Sequence, residues 1–405
     1  MTVSPTTAVK STLLKRSEDF RPALPTTENL IKALDPTVKR STLHALTACV
    51  IIHPRLPALF DAFLANKRAH GTAIEKAVYE DGVHGWEDLV KRLIKKRPLV
   101  FFMRDDMTLL RGAEPSELRS RHADWLKVGS ENEAEDLQMR DYLTYDEMAL
   151  SALLGASTST HFLNSGGRHN NAKAAPERPH EKEGVYIGLV GARYEVPERM
   201  EWAYTIGTRD NEDNAQLRSM WDNFFGCPCE LDGRTLNRDR YKQRIRITLE
   251  CLFLEAQRRA TAARKRAYVV VVGFGLGVWM IDRNQPAWFV EAAMDALREL
   301  ALPSIGVVDF SYFPRSVAAL APNALENGTR IKFTNRDPAD KLTGENEGML
   351  LVSSFAWDGN AYVGNEYYIG SLSGSGDPAA VCCSTVGELL NPEINVDFSD
   401  RLVLL

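Results

Sequence analysis

Apolar and polar positions fall into two textures along this chain. From Thr27 to about Arg97 apolar residues recur near a helical period. Leu30, Ile31 and Leu34 come first, then Leu43, Leu46 and Val50, with Pro36 and Pro54 as breaks. Pro98-Leu-Val-Phe-Phe-Met103 reads as a short buried strand and Tyr145 to Leu154 as a further helix, so residues 26–163 are expected to be mainly helical. Residues 164–183 are polar and rich in Gly, Asn and Pro, the composition of a long loop or domain boundary. After Gly184 strands and helices alternate. Val185–Val190, Tyr268–Val272, Ile305–Asp309, Arg330–Thr334 and Gly348–Ser354 are strand-like, while Arg238–Ala260, Pro286–Leu300 and Pro378–Leu390 are helix-like. This alternation predicts an α/β sheet with helices on both faces. Residues 1–25, rich in Thr, Ser, Pro and Lys, are expected to be a disordered tail.

Composition narrows the class. A chain of 405 residues suggests two domains, and 44% apolar with 25% charged residues is ordinary for a globular protein. The net charge of −5 gives no global reason to bind nucleic acid or an acidic membrane. The basic run Lys91–Arg97 reads as a solvated helix face. The six cysteines (Cys49, Cys227, Cys229, Cys251, Cys382 and Cys383) lack disulfide-framework spacing and form no CxxC pair, so all are expected to be free thiols in a reducing compartment. The chain shows no secretory leader and no apolar run approaching about 18 residues, which points to a cytoplasmic or nuclear location without a membrane span. The eight histidines suggest no triad or metal pair, with His161 and His169 the ones to watch, and no metal or cofactor is expected.

Four segments concentrate chemistry. Val272-Gly-Phe-Gly-Leu-Gly-Val-Trp279 follows an apolar strand, and its glycines let backbone N–H groups approach an anion. A tight turn without ligand is the plainer alternative. Phe355-Ala-Trp-Asp-Gly-Asn-Ala-Tyr-Val-Gly-Asn-Glu366 crowds Asp358, Asn360, Asn365 and Glu366 beyond another strand, where function often sits and where a solvated loop would also serve. Gly370–Ala380 runs flexible backbone through Gly376 into a helix start, with Asp377 as the expected N-cap and Pro378 at the first helical position. Thr334-Asn-Arg-Asp337-Pro-Ala-Asp340-Lys-Leu342 places a carboxylate past a strand end, either to accept from an exocyclic amine or to make an Asp-Pro turn.

Together these segments resemble the macrodomain fold. Asp337-Pro-Ala-Asp-Lys-Leu342 looks like its adenine-holding segment, Gly273–Gly277 like its diphosphate-gripping loop, and Asp358-Gly-Asn360 like the strand end whose Asn contacts the distal ribose. Leu389-Leu-Asn-Pro-Glu393 echoes a motif of poly(ADP-ribose) glycohydrolases. Trp357-Asp-Gly-Asn with Asn365-Glu366, Ser373–Ala380 and Val190-Gly-Ala-Arg-Tyr-Glu195 is closer still to the arginine-specific macrodomain mono-ADP-ribosylhydrolases. The resemblance covers residues 184–405, and Asn164-Ser-Gly-Gly-Arg168 is a candidate addition. It implies a mixed sheet flanked by helices and a catalytic domain over 184–405. The site residues it implies are Gly273, Phe274, Gly275, Leu276, Gly277, Val278, Trp279, Asp337, Asn360, Asn365 and Gly376 around ADP-ribose. Arginine-ADP-ribosylated proteins are the implied partners, with ubiquitin a candidate. Two departures stand out. The substrate loop follows the diphosphate loop, as in a circular permutation. Cys383-Ser384 also stand where glycohydrolases carry paired glutamates.

The bond at issue joins the distal ribose C1″ to an arginine guanidino nitrogen. Cleaving it builds oxocarbenium character, which carboxylates serve as stabilisers or bases. Asp358, Glu366 and Asp377 are the candidates: Glu366 or Asp377 to activate water or grip the guanidinium, Asp358 to orient the ribose. A reader that binds ADP-ribose without cleaving it is one alternative. A nucleotide-dependent oxidoreductase is another, weakened because the glycines read GxGxG and Asp309 stands 36 positions after Gly273, against about 20 in dinucleotide folds. A thiol enzyme using Cys382 or Cys383 is the third, set against an apolar helix-like setting for both.

Overall fold

The computed structural model describes residues 5–207, 215–226 and 231–405. In chain order its strands are β1 (Cys49–Ile52), β2 (Val100–Phe102), β3 (Met107–Leu109), β4 (Arg119–Ser120), β5 (Gly155–His161), β6 (Glu183–Leu189), β7 (Ala267–Val271), β8 (Ile305–Ser311), β9 (Arg330–Thr334), β10 (Leu350–Ala356) and β11 (Leu402–Leu404). Eight of them form one sheet in the order β11-β1-β5-β6-β10-β7-β8-β9, while β2, β3 and β4 make a small antiparallel sheet. Within the large sheet β5 alone runs against the rest. The carboxyl ends of β6, β10, β7, β8 and β9 therefore share one edge, where open α/β sheets bind ligands.

Side-chain alternation shows why these apolar runs become central strands. Along β6, Val185, Ile187 and Leu189 enter one core while Tyr186 enters the other. β7 repeats this with Val269 and Val271 against Tyr268 and Val270. A strand covered on both faces needs apolar residues at both phases of the pleat. One face is covered by the helices Arg238–Ala263 and Gln285–Glu299, the other by N-terminal helices and by Gly376–Cys383. The long helix begins where the Asn237 side chain accepts from the Arg240 N–H at 3.0 Å. Among the described residues no helix is long and apolar enough to cross a membrane.

The mixed sheet flanked by helices is as expected; its boundaries are not. The sheet does not begin after the 164–183 segment, because β1 and β5 come from the region expected to be mainly helical. Cys49–Ile52, read as part of a helical period, is a strand with all four residues buried. Residues 1–25 are not wholly a tail: a helix spans Pro5–Asp19, and Leu13 and Phe20 are buried. The continuous helix expected over Pro378–Leu390 is two, Gly376–Cys383 and Val386–Leu389, parted at Ser384-Thr385. Cys49, Cys251, Cys382 and Cys383 are free and buried, while Cys227 and Cys229 lie outside the described residues.

Candidate active site

A cleft of about 1790 Å³, solvent at its mouth included, opens along the carboxyl edge of the sheet. The glycine turn after β7, the acidic loop after β10 and the Asp337 segment after β9 all line it. Of the residues singled out from sequence, Gly273, Gly275, Gly277, Val278, Trp279, Asp337, Asp358, Asn365, Glu366, Gly376 and Asp377 meet there.

The acidic cluster is built by two turns. Gly359 (φ 77°) and Gly364 (φ 115°) take left-handed backbone that lets the chain double back after β10. Asp358 is then held by Asn365, whose Nδ2 donates to Asp358 Oδ2 at 2.7 Å. The same Asn365 accepts from the Phe101 N–H at 2.9 Å and donates to the Phe101 carbonyl at 3.3 Å, so β2 braces the acidic loop. Asp377 is not the helix N-cap; Ser375 is, and Asp377 turns inward to accept from the Gly364 N–H at 2.8 Å. Its second oxygen, Oδ2, is buried without a hydrogen-bond partner.

Burial sets the electrostatics. It pushes the Asp358 carboxyl up to about 7, helped by Glu366 and Glu195 and opposed by the Arg193 guanidinium. Asp377 is raised well above the carboxylate range, by burial first and then by Glu366 and Asp358. Burial also raises Glu366, against hydrogen bonding from Ser375 and the positive charge of Arg168. Three neighbouring acids are thus each harder to ionise than a free carboxylate, and acids perturbed in this way within one cleft mark a candidate functional site.

In the glycine turn, Phe274 and Leu276 give their N–H groups to the Val272 and Gly273 carbonyls. The N–H groups of Gly275 and Gly277 have no hydrogen-bond acceptor among the described residues. Gly275 (φ 72°) presses on Gly191, where an added Cβ would stand 2.3 Å from the Gly275 nitrogen. Trp279 Nε1 donates to Glu195 Oε2 at 3.2 Å, tying this turn to the segment after β6.

Also on the cleft lining, Asp337 accepts from Ser165 Oγ at 2.9 Å and Tyr312 Oη at 2.7 Å, and pairs with Arg178 at 2.7 Å. Tyr312 is 60% exposed, and Arg336 stacks over Tyr268.

Three expected residues stay outside the cleft. Phe274 is fully buried against Phe289, Leu276 packs on the core, and Asn360 is buried beneath the loop. Asn360 accepts from Arg193, which also bonds the Asp358 and Met148 carbonyls and pairs with Glu201. Asn360 thus anchors the loop from below. Glu195 and Arg168, which sequence reading quoted only as the ends of motifs without a site role, line the cleft as well, as do Tyr312, Phe102 and Met103, for which it proposed no site role. Glu195 had a usable signal, a carboxylate just past a strand end. Phe102 and Met103 had none, because a contact spanning hundreds of residues leaves no local pattern.

The alternatives lose ground. Asp309 lies within β8, fully buried, and bonds Tyr268 and Thr334 rather than facing the glycine turn. Burial pushes both Cys382 and Cys383 up to about 12, which suppresses the nucleophilic thiolate.

The family model described as "ADP-ribosylhydrolase MavL-like" matches residues 11–230 and 210–403. The chain is 36% identical over 398 residues to "ADP-ribosylarginine hydrolase CG3568" of Drosophila melanogaster, covering 87% of this chain and 76% of that protein. It is 33% identical over 402 residues to "ADP-ribosylarginine hydrolase CG2909" of the same organism, covering 87% and 77%.

Proposed function

Since the chain belongs to the MavL-like ADP-ribosylhydrolase family, we propose that its cleft removes ADP-ribose from modified arginine side chains. Two relatives that bear this activity in their names, at 36% and 33% identity over most of the chain, support the arginine linkage. The observation that carries the reading is the shared cleft, which is lined both by Gly275 and Gly277 with their open N–H groups and by Asp358, Glu366 and Asp377.

In this reading the pyrophosphate sits on the glycine turn, and the adenine end lies toward Asp337, Tyr312 and Arg336. The distal ribose then reaches the acids. The C1″–N bond breaks with its electron pair on nitrogen, so the guanidinium leaves as neutral guanidine. Water adds its oxygen to C1″ and passes a proton to a carboxylate, from which the guanidine regains it. Asp377, with Oδ2 unpartnered, is the base. Glu366 faces the guanidinium, and Asp358, fixed by Asn365, orients the ribose. A non-cleaving reader has no use for three acids beside the sugar. We also read the sheet as macrodomain-like in permuted order, from the positions of the three loops along one edge. Ubiquitin modified on arginine is one protein substrate to try.

The test is single-turnover hydrolysis of an arginine-ADP-ribosylated protein by Asp358→Asn, Glu366→Gln and Asp377→Asn, beside calorimetric binding of ADP-ribose. At least one variant should lose about 10²–10⁴-fold in rate while keeping its affinity. Full turnover in all three would end the catalytic assignment.

A further inference from the structure

The end of the sheet opposite the cleft carries a second cluster, which the hydrolase reading does not use. His161 ends β5 and pairs in register with Glu183 at the start of β6. His44, on the helix Lys39–Thr47, lies against His161 with ring centroids 4.7 Å apart. One ligand atom from each of His44, His161 and Glu183 lies within 4.8 Å of the others. Six residue steps of β6 separate Glu183 from Leu189 at the cleft end, roughly 20 Å at strand rise.

Two features mark this cluster as more than packing. His44 is 5% exposed, and its Nδ1 is buried without a hydrogen-bond partner. His161 Nε2 is likewise buried and without a hydrogen bond. Unsatisfied buried nitrogens are costly, and two side by side need a reason. The surroundings supply one. His161 Nδ1 is 3.5 Å from Glu183 Oε1 and its Nε2 is 3.9 Å from Asp35 Oδ2. Whichever nitrogen bound an ion, the other would face a carboxylate, the arrangement that orients metal-bound imidazoles.

We propose that His44, His161 and Glu183 form a binding site for a divalent transition-metal ion of the zinc class. Two imidazoles and one carboxylate are a donor set that zinc accepts, and the half-open side of Glu183 leaves room for water as a fourth ligand. The ligand atoms need to close by only a fraction of their present spacing. The ion would fasten the helix Lys39–Thr47 to β5 and β6 and so act on stability rather than on the cleft. Positive charge opposes it: Arg40 Nε lies 3.2 Å from both Glu183 oxygens, in an exposed pair that an ion must outcompete, and Arg259 also acts on His44.

The experiment uses the full chain, stripped with chelator and titrated with cobalt(II) chloride, then with zinc chloride in competition. One cobalt ion per chain should bind with visible d–d absorption, zinc should displace it, and zinc should raise the melting temperature. Glu183→Gln, at a partly exposed position, should fold and weaken binding about tenfold or more. His161→Gln should abolish the cobalt spectrum, with circular dichroism reporting the fold. Arg40→Ala should tighten binding severalfold. Absence of saturable uptake by the unsubstituted chain at micromolar metal overturns the proposal. So does uptake that Glu183→Gln and His161→Gln leave unchanged, which would place the ion elsewhere, for example at Cys227 and Cys229.

Discussion

At the scale of single residues, the acids of the cleft set the pH behaviour. Asp358 keeps its proton up to about 7 because burial disfavours its charge. Asp377, the proposed base, is raised well above the ordinary carboxylate range and works only when ionised, so kcat/KM should already fall towards acid at pH values well above that range; a flat profile from pH 5 to 8 would contradict the assignment. Stability runs the other way. Between the unfolded carboxylate range and about 7 the folded chain holds more protons than the unfolded one, so stability declines as pH rises through that window. Asp358→Asn should therefore stabilise the protein at pH 8, on the order of 2 kcal/mol, with the gain vanishing near pH 4. Urea titrations at both pH values check this. Arg97 is a related case. It is buried, its guanidinium stacks 4.1 Å from the Trp357 ring centre, and its Nε and Nη1 have no partner. Burial pushes it down to about 9, and its charge acts on Asp358 and Asp377. Arg97→Met removes a nearby cation, so the acidic limb of the pH profile should move upward by roughly one unit. The residue types at the site were legible because carboxylates and glycines beyond strand ends are informative. Arg97 was not, since in sequence it belongs to a basic run that looked solvated.

At the scale of elements, strands with continuous apolar runs could be read from the chain and strands without them could not. β7, β8, β9 and β10 lie within a residue or two of expectation. β5, Gly-Ala-Ser-Thr-Ser-Thr-His, has no apolar alternation, yet Ser157, Thr158 and Thr160 are buried. Their hydroxyls find partners such as Glu255 and Thr385, which only the folded chain supplies. Asn365 is another cross-element tie, joining the acidic loop to β2 through both polar groups of Phe101. Asn365→Ala leaves those groups and Asp358 short of partners. It should cost about 2–4 kcal/mol by chemical denaturation and slow hydrolysis more than it weakens ADP-ribose binding.

At the scale of the whole molecule, a division near residues 164–183 does not match the sheet. Strand β5 lies between β1 and β6, and β2 braces the acidic loop. A fragment of residues 184–405 would expose the β6 edge and lose that brace, so it should fail to bind ADP-ribose and should aggregate on expression. Recovery of a monomeric, binding-competent fragment would show that the unit is separable after all. The N-terminal helix belongs to the same body, since Glu388 accepts from Ser17 Oγ at 2.6 Å and from the Ile31 N–H at 2.5 Å. Such long-range closures escape any local reading of sequence, which is why the four chemical segments were visible and the frame that aligns them was not. The contact between Gly191 and Gly275 carries a consequence for how this cleft can change. Two backbones meet there with no room for a methyl group on Gly191, so at that point the two loops already touch main chain to main chain. Single substitutions can retune the walls around that pinch point, but widening it for a bulkier ligand would take coordinated changes in both loops.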